Sequence, residues 1–266
     1  MIDKLPGHKA RKRFGQNFLS DPYWIGKIAD AIGARPEEAI VEIGPGQAAL
    51  TRELIDSAKH ISCVEIDRDL AAWLRTKFLE NELTLIEADA LKVDWRALAE
   101  EQKLRVVGNL PYNISSPLLF RLTEIWDRVV DQHFMLQKEV VDRMCAQPGT
   151  KDYGRLSVML QSHYKMIKLF DVPPTAFSPA PKVTSSVVRM VPLERTLEVD
   201  ANVFSATVAT AFSMRRKTLR NALAKLLTAE QIASVNVRPE ARAETLDVAA
   251  FVRLSNLISS LGIAQN

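Results

Sequence analysis

The sequence predicts an α/β fold in which a mostly parallel, doubly wound sheet is followed by a smaller, all-helical C-terminal domain. Strand-like and helix-like segments alternate from residue 39 to residue 137, which is typical of parallel strands joined by helices. Two more strand-like segments then follow without a helix between them, which suits an antiparallel addition to the sheet. After Pro192 the chain contains only helix-like segments.

The first helix is predicted to begin after Ser20-Asp21, where a capping side chain precedes Pro22, and to end at Gly33. Strands are predicted over 39–44, 60–67, 83–89, 104–110, 132–137, 164–172 and 185–191. Intervening helices are predicted over 48–57, 69–78 and 115–126, and C-terminal helices over 201–213, 215–227 and 247–260.

Length and composition indicate a folded protein, since 266 residues with 47% hydrophobic and 25% charged content exclude a wholly disordered chain. No apolar run approaches the roughly 18 residues of a membrane span, and no apolar stretch of a signal peptide follows the basic N-terminus. Two cysteines suit a reducing compartment. We therefore expect a cytoplasmic protein with one domain over 1–195, including a basic tail over 1–13, and a second over 196–266.

The net charge of +3 conceals a separation of charge along the chain. Residues 14–108 carry seventeen acidic and eleven basic residues, whereas residues 201–229 carry five basic residues and no acidic one. Basic segments that flank an acidic body indicate a polyanion at the periphery, although a solvated helix face is the alternative. The candidate phosphate-binding residues are Arg11, Lys12, Arg13, Lys182, Arg215, Arg216, Lys217 and Arg220.

A glycine loop follows the first strand of the alternation, and its residues Gly44 and Gly46 allow close approach of a ligand. The second strand ends near Glu65, whose carboxylate can accept both hydroxyls of a ribose. The third ends near Asp89 and Ala90, where a carboxylate can accept an adenine amino group. These positions predict an adenosine-bearing cofactor. S-adenosylmethionine fits better than a nicotinamide dinucleotide, but the loop alone leaves an oxidoreductase open.

The fourth strand of the alternation ends in Asn109-Leu110-Pro111-Tyr112, which suits methylation of an exocyclic adenine nitrogen. The lone pair of that nitrogen is delocalised into the ring, so acceptors on its N–H bonds are needed to favour a nucleophilic geometry. The side-chain oxygen of Asn109 and the carbonyl of Leu110 supply such acceptors. Pro111 restricts the turn, and Tyr112 offers a stacking surface.

These segments resemble the ribosomal RNA adenine N6-dimethyltransferases. GNLPYNIS at 108–115 resembles their motif IV, EIGPG at 42–46 their motif I, and FSPAPKVTSSVV at 177–188 their substrate loop. RKRFGQNFL at 11–19 resembles the segment that closes over S-adenosylmethionine. The resemblance implies a seven-stranded, Rossmann-like class I methyltransferase sheet. It also implies dimethylation of two adjacent adenosines in the 3′-terminal hairpin loop of small-subunit ribosomal RNA, within a partly assembled 30S particle.

The resemblance also implies roles for individual residues. Asn17, Leu19, Gly44, Gly46, Glu65, Asp89, Ala90 and Asn109 are expected to hold the cofactor, while Asn109, Leu110, Pro111, Tyr112 and Phe177 surround the flipped base, with Tyr112 and Phe177 on its two faces. A ribosome-assembly factor whose binding outweighs its catalysis, and a large-subunit resistance methyltransferase, are the alternatives. The four histidines lack ligand spacing, so we expect no catalytic metal, and a monomer is the default expectation.

Overall fold

The computed structural model describes Leu5, Arg11 and residues 15–194, 197–214 and 216–263. Among the helices formed by these residues, none has the length and apolar character needed to cross a membrane. The chain divides into two compact units, of which the first contains Met1–Val141 and Met166–Pro192 and the second Asp142–Lys165 and Leu193–Asn266.

The second unit is discontinuous in sequence, unlike the predicted domain over 196–266. Its C-terminal part begins at Leu193, close to the predicted boundary, but Asp142–Lys165 belongs to it as well. Hydrogen bonds join the two parts: the backbone N–H of Gly149 donates to the carbonyl of Glu244 (2.7 Å), and that of Leu193 donates to the carbonyl of His163 (2.9 Å). Such long-range bonds have no local sequence signal.

The first unit contains a seven-stranded sheet, which confirms the predicted α/β class. The strands of the chain are β1 (Phe18–Leu19), β2 (Ala39–Ile43), β3 (Ile61–Glu65), β4 (Leu83–Glu87), β5 (Leu104–Asn109), β6 (Val129–Gln137), β7 (Tyr164–Val172), β8 (Phe177–Ser178) and β9 (Ser185–Pro192). The order in the sheet is β4-β3-β2-β5-β6-β9-β7. Strands β2 to β6 pair in parallel, and β9 runs antiparallel to β6, as expected for the late addition.

The helices are α1 (Pro22–Ile32), α2 (Ala49–Ala58), α3 (Arg68–Lys77), α4 (Trp95–Leu98), α5 (Ser115–Thr123), α6 (Lys138–Cys145), α7 (Arg155–Gln161), α8 (Ala201–Ser213), α9 (Leu219–Ala222), α10 (Ala229–Ser234) and α11 (Val248–Ser260). Helix α1 has the predicted ends. The Asp21 side chain accepts from the Tyr23 N–H at 2.9 Å, and Gly33 adopts the left-handed conformation with φ of 58°. Both ends are therefore determined by local sequence.

The predicted helix over 215–227 is wrong, because among the described residues 216–227 only the four residues of α9 are helical. The N–H groups of Leu219 and Arg220 donate to the carbonyls of Ala241 (2.8 Å) and Pro239 (2.9 Å). These bonds satisfy N–H groups that have no partner within α9, which begins after Thr218. Arg216 and Lys217 precede Thr218 and therefore do not lie on a helix.

A buried ion cluster lies near the start of β5 and β6. The guanidinium of Arg105 donates to both carboxylate oxygens of Asp131 at 2.9 and 3.2 Å, and Arg189 of β9 pairs with the same carboxylate at 2.8 Å. Arg105 also pairs with Glu38 at 2.7 Å and donates to the carbonyl of Ile32 at 2.6 Å. Burial raises the pKa of Asp131, but the neighbouring His133 and the Arg105 guanidinium hold it well below its usual range. The cluster therefore joins three neighbouring strands to the end of α1.

Candidate functional site

A cavity of about 320 Å³ lies where β2, β3, β4 and β5 end. Parallel strands bring their carboxyl ends to one edge, so residues far apart in sequence meet there. The structure brings eleven of the predicted site residues to the wall of this cavity: Asn17, Leu19, Gly44, Gly46, Glu65, Asp89, Ala90, Asn109, Leu110, Pro111 and Tyr112. The predicted cofactor and target-base residues therefore share one space.

The glycine loop after β2 provides space on one side and close packing on the other. Gly44 has φ of +68°, and a Cβ atom built on it would meet no atom within 4 Å. Gly46 has φ of +57°, and a Cβ atom there would lie only 3.0 Å from the ring of Phe18 in β1. Gly44 therefore leaves room for a ligand, and Gly46 allows the N-terminal segment to approach the loop.

Two carboxylates are buried at the same edge, and both have a raised pKa because burial disfavours their charged forms. Glu65 accepts from the N–H groups of Asp67 (2.8 Å) and Gly46 (3.3 Å). Glu42 accepts from the hydroxyl of Thr51 at 2.6 Å, and its pKa is about 7. Sequence analysis gave Glu42 no role of its own, although it directly precedes the loop.

The wall after β3 and β4 combines polar and apolar groups. The Asp89 carboxylate accepts from the N–H of Leu91 at 3.0 Å, and the indole N–H of Trp95 donates to the Ala90 carbonyl at 3.0 Å. Ile66 also lines the cavity and is 44% exposed, although it is a large hydrophobic residue. Sequence analysis missed Ile66, for which the only signal is an apolar residue directly after Glu65.

Asn109 is oriented by the N-terminal segment. Its amide nitrogen donates to the carbonyl of Asn17 at 3.0 Å, so its Oδ1 is the atom left to accept from another group. The preceding Gly108 is necessary for this arrangement, because a Cβ atom there would lie 2.6 Å from the carbonyl oxygen of Ile43 in β2. Close packing of β2 and β5 therefore positions Asn109 at the cavity.

The two aromatic residues that were predicted to enclose the target base lie in different environments. Tyr112 lines the cavity and is partly exposed, and burial raises the pKa of its hydroxyl. Phe177 is only 5% exposed, pairs with Leu19 across β8 and β1, and packs in the hydrophobic core rather than lining the cavity. Stacking of Phe177 on a base therefore requires a movement of its side chain.

The candidate phosphate-binding residues also differ in environment. Lys182, Arg216, Lys217 and Arg220 are exposed. Arg11 instead pairs with Asp69 and, at 2.9 Å, with the fully buried Asp67, so its guanidinium is engaged within the fold. Lys12, Arg13 and Arg215 lie outside the described residues. No cluster of potential metal ligands occurs in the part of the chain that the structure describes.

The order of the sheet and the cavity at its carboxyl edge are those of a class I methyltransferase. The sequence profile of the ribosomal RNA adenine dimethylase family matches residues 7–260, and the chain belongs to this family.

The relatives of the chain include ribosomal RNA small subunit methyltransferase A of Aromatoleum aromaticum, which is 56% identical over 95% of this chain and 96% of its own length. Among solved structures, a dimethyladenosine transferase from Plasmodium falciparum is 27% identical with a TM-score of 0.79, over 92% of this chain and 98% of its own. The 23S rRNA methyltransferase ErmE is 25% identical with a TM-score of 0.69, over 91% of this chain and 100% of its own.

Proposed function

We propose that this chain transfers methyl groups from S-adenosylmethionine to N6 of two adjacent adenosines in the 3′-terminal hairpin loop of small-subunit ribosomal RNA, giving N6,N6-dimethyladenosine. The observation that carries the proposal is the single cavity that joins the glycine loop and strand-end carboxylates to Asn109 and Tyr112. The 56% identity to a small-subunit methyltransferase, against 25% to the 23S enzyme, favours the small subunit over the large one.

The residues present fit S-adenosylmethionine. Gly44 leaves open space where a side chain would otherwise stand, and the buried carboxylate of Glu65 retains lone pairs that can accept from ribose hydroxyls. Asp89 lines the same cavity and would accept from the adenine amino group, and the exposed side chain of Ile66 offers an apolar surface in that cavity. When bound, the cofactor supplies a methyl group on a sulfonium centre.

The chain's own residues position and activate the target amine. Oδ1 of Asn109 and the carbonyl oxygen of Leu110 accept from the N6 amino group, which favours a tetrahedral, nucleophilic nitrogen. Tyr112 holds the base by stacking, and positioning of this kind supplies most of the rate. The proton on N6 leaves to solvent after transfer, so no general base is required. The Asn109 amide is neutral and tolerates both the secondary and the tertiary amine, which permits two transfers.

The substrate in this proposal is a partly assembled 30S particle in the cytoplasm, bound by a monomer. The exposed cations Lys182, Arg216, Lys217 and Arg220 would contact phosphates, which confers affinity without sequence specificity. Because Arg216 and Lys217 precede α9 in a turn, they can reach phosphates without the constraint of a common helix face.

The test uses labelled S-adenosylmethionine with small subunits from cells that lack this modification, followed by mass analysis of the nucleosides. Dimethyladenosine in small-subunit RNA is the expected result, with purified large subunits as the matched control. Label confined to large subunits would assign the chain to the resistance enzymes. Tight binding to the particle without any transfer of label would contradict the proposed enzymatic activity and favour the alternative of a ribosome-assembly factor.

Replacing Asn109 by alanine tests the mechanism. We expect Asn109→Ala to lower kcat about 100- to 1,000-fold, the range for removal of one positioned polar group in other enzymes, because N6 loses an oriented acceptor. Cofactor affinity, measured by isothermal titration, should fall much less. Equal loss of cofactor binding and turnover would count against the role of Asn109 at the target amine.

A further inference from the structure

The side chains of Tyr112 and Ser185 form a contact that the mechanism above does not use. Their hydroxyl oxygens lie 3.0 Å apart, and either can be the donor. This hydrogen bond joins the loop after β5 to the first residue of β9, which lies 73 residues later in the chain. It therefore connects the stacking tyrosine to the part of β9 that lies within the segment resembling a substrate loop.

Ser185 has a well-determined position. It is 1% exposed and lies opposite Gln137 of β6 in the antiparallel pair. On one side of it, the carbonyl of Thr184 accepts from the N–H of Lys138 at 2.9 Å. On the other side, Ser186 lies opposite Leu136 in the same antiparallel pair. The sheet therefore holds the Ser185 hydroxyl independently of any ligand.

The backbone of Tyr112 is also held in place. The turn that contains Tyr112 is closed by a bond from the N–H of Ile114 to the carbonyl of Pro111 at 3.2 Å. The Tyr112 carbonyl accepts from the hydroxyl of Ser115 at 3.2 Å. A tyrosine has two side-chain torsions, and its hydroxyl lies on the axis of the second, χ2. Holding the Cα and the hydroxyl therefore fixes χ1 and the position of the ring, while χ2 turns the ring about its own axis.

From these contacts we infer that Ser185 is a positioning residue, which holds the ring of Tyr112 at the place where it stacks on the target adenine. The inference rests on the proposed function, since it concerns the same target-base site. A side chain whose χ1 is already fixed loses less entropy when the base stacks on its ring. Ser185 touches neither the base nor the cofactor in this scheme and acts through Tyr112 alone.

The activity test compares Ser185→Ala, which removes the hydroxyl, with Ser185→Thr, which keeps it and suits a strand. We expect Ser185→Ala to lower kcat/KM for the RNA particle about five- to tenfold, the worth of one hydrogen bond, and Ser185→Thr to restore most of it. Cofactor affinity should stay within twofold in both variants. The matched control is Ser186→Ala, which removes the neighbouring strand hydroxyl that bonds Asp171 and should leave kcat/KM within twofold.

A double-mutant cycle with Tyr112→Phe separates positioning from general loss of structure. If Ser185 acts only through the tyrosine hydroxyl, the double variant Ser185→Ala/Tyr112→Phe should be no worse than Tyr112→Phe alone. Strictly additive losses would overturn the inference. So would equal losses in Ser185→Ala, Ser185→Thr and Ser186→Ala, because that pattern reports damage to the strand.

A readout without activity keeps this inference separate from the proposed function. The chain has four tyrosines, so protein labelled with ¹³C-tyrosine gives few ring signals, and Tyr112→Phe assigns the one of interest. Ser185→Ala should shift that signal and leave the others in place. An unmoved Tyr112 signal would overturn the inference even if methylation is observed. A shifted signal with no methylation by the wild-type chain would leave the contact supported and refute the proposed function.

Discussion

Buried charged groups occur at two places in the same sheet, and their surroundings differ. Near the start of β5 and β6, Asp131 lies between the guanidinium groups of Arg105 and Arg189, and its pKa is held well below the usual range. At the carboxyl edge, Glu42 and Glu65 are 2% and 4% exposed but accept from hydroxyl, thiol and backbone N–H groups. Burial raises both of their pKa values.

The difference separates a structural site from a binding site. The contacts of Asp131 with His133 and with two guanidinium groups make the ion cluster costly to break but offer nothing to a ligand. Carboxylates that are buried without such compensation destabilise the ligand-free protein, and they favour a ligand that brings hydroxyl groups or positive charge. S-adenosylmethionine brings both, which is consistent with the cavity at this edge.

The largest expected effect comes from breaking the compensated cluster. Asp131→Asn takes the buried carboxylate from Arg105, whose side chain is 7% exposed, and leaves it paired with the less buried Glu38, so the free energy of unfolding should fall by about 3–5 kcal/mol. Urea denaturation measures the change. Asp127→Asn is the control, because it breaks the exposed Arg96–Asp127 pair and should cost less than about 1 kcal/mol. Similar losses of unfolding free energy in both variants would contradict the structural role assigned to the buried cluster.

Replacement of Glu42 at the carboxyl edge should raise the free energy of unfolding, by less than replacement of Asp131 lowers it. The folded protein keeps the Glu42 proton up to about pH 7, whereas the unfolded chain releases it near pH 4.5. Unfolding therefore releases a proton in this range, and Glu42 lowers the free energy of unfolding as pH rises from about 4.5 to 7. Glu42→Gln should remove this dependence and stabilise the ligand-free protein above pH 7 by up to about 3 kcal/mol. Unfolding curves of both proteins from pH 4 to pH 8 test this, and an unchanged slope in the variant would refute it.

The smallest expected effect concerns a cation that is compensated within the fold. Arg11 pairs with Asp67, so Arg11→Gln should leave the salt dependence of RNA binding unchanged. Lys217→Gln removes an exposed cation and should lower the slope of log K against log salt by about 1. Filter binding between 50 and 200 mM salt distinguishes the two. A slope reduced by Arg11→Gln as well would return Arg11 to the phosphate-binding residues.

Local sequence was informative wherever a feature depends on neighbouring residues. The caps of α1 at Asp21 and Gly33 follow from side-chain and backbone preferences, and the alternating segments predicted the parallel sheet. Once the sheet is parallel, its carboxyl ends share an edge, so the meeting of Glu65, Asp89 and Asn109 at one cavity was predictable as well. These predictions needed no knowledge of long-range contacts.

The sequence by itself thus determined the fold class, the order along the chain of the strands whose loops carry the chemistry, and eleven residues of the cavity wall. Only the tertiary structure decided that α9 is short, that Arg11 pairs with Asp67, and that Phe177 packs in the core. It also decided that Ser185 contacts Tyr112. The physical reason is common to all four: each depends on a contact between residues far apart in sequence, whose geometry is set by packing rather than by local propensity.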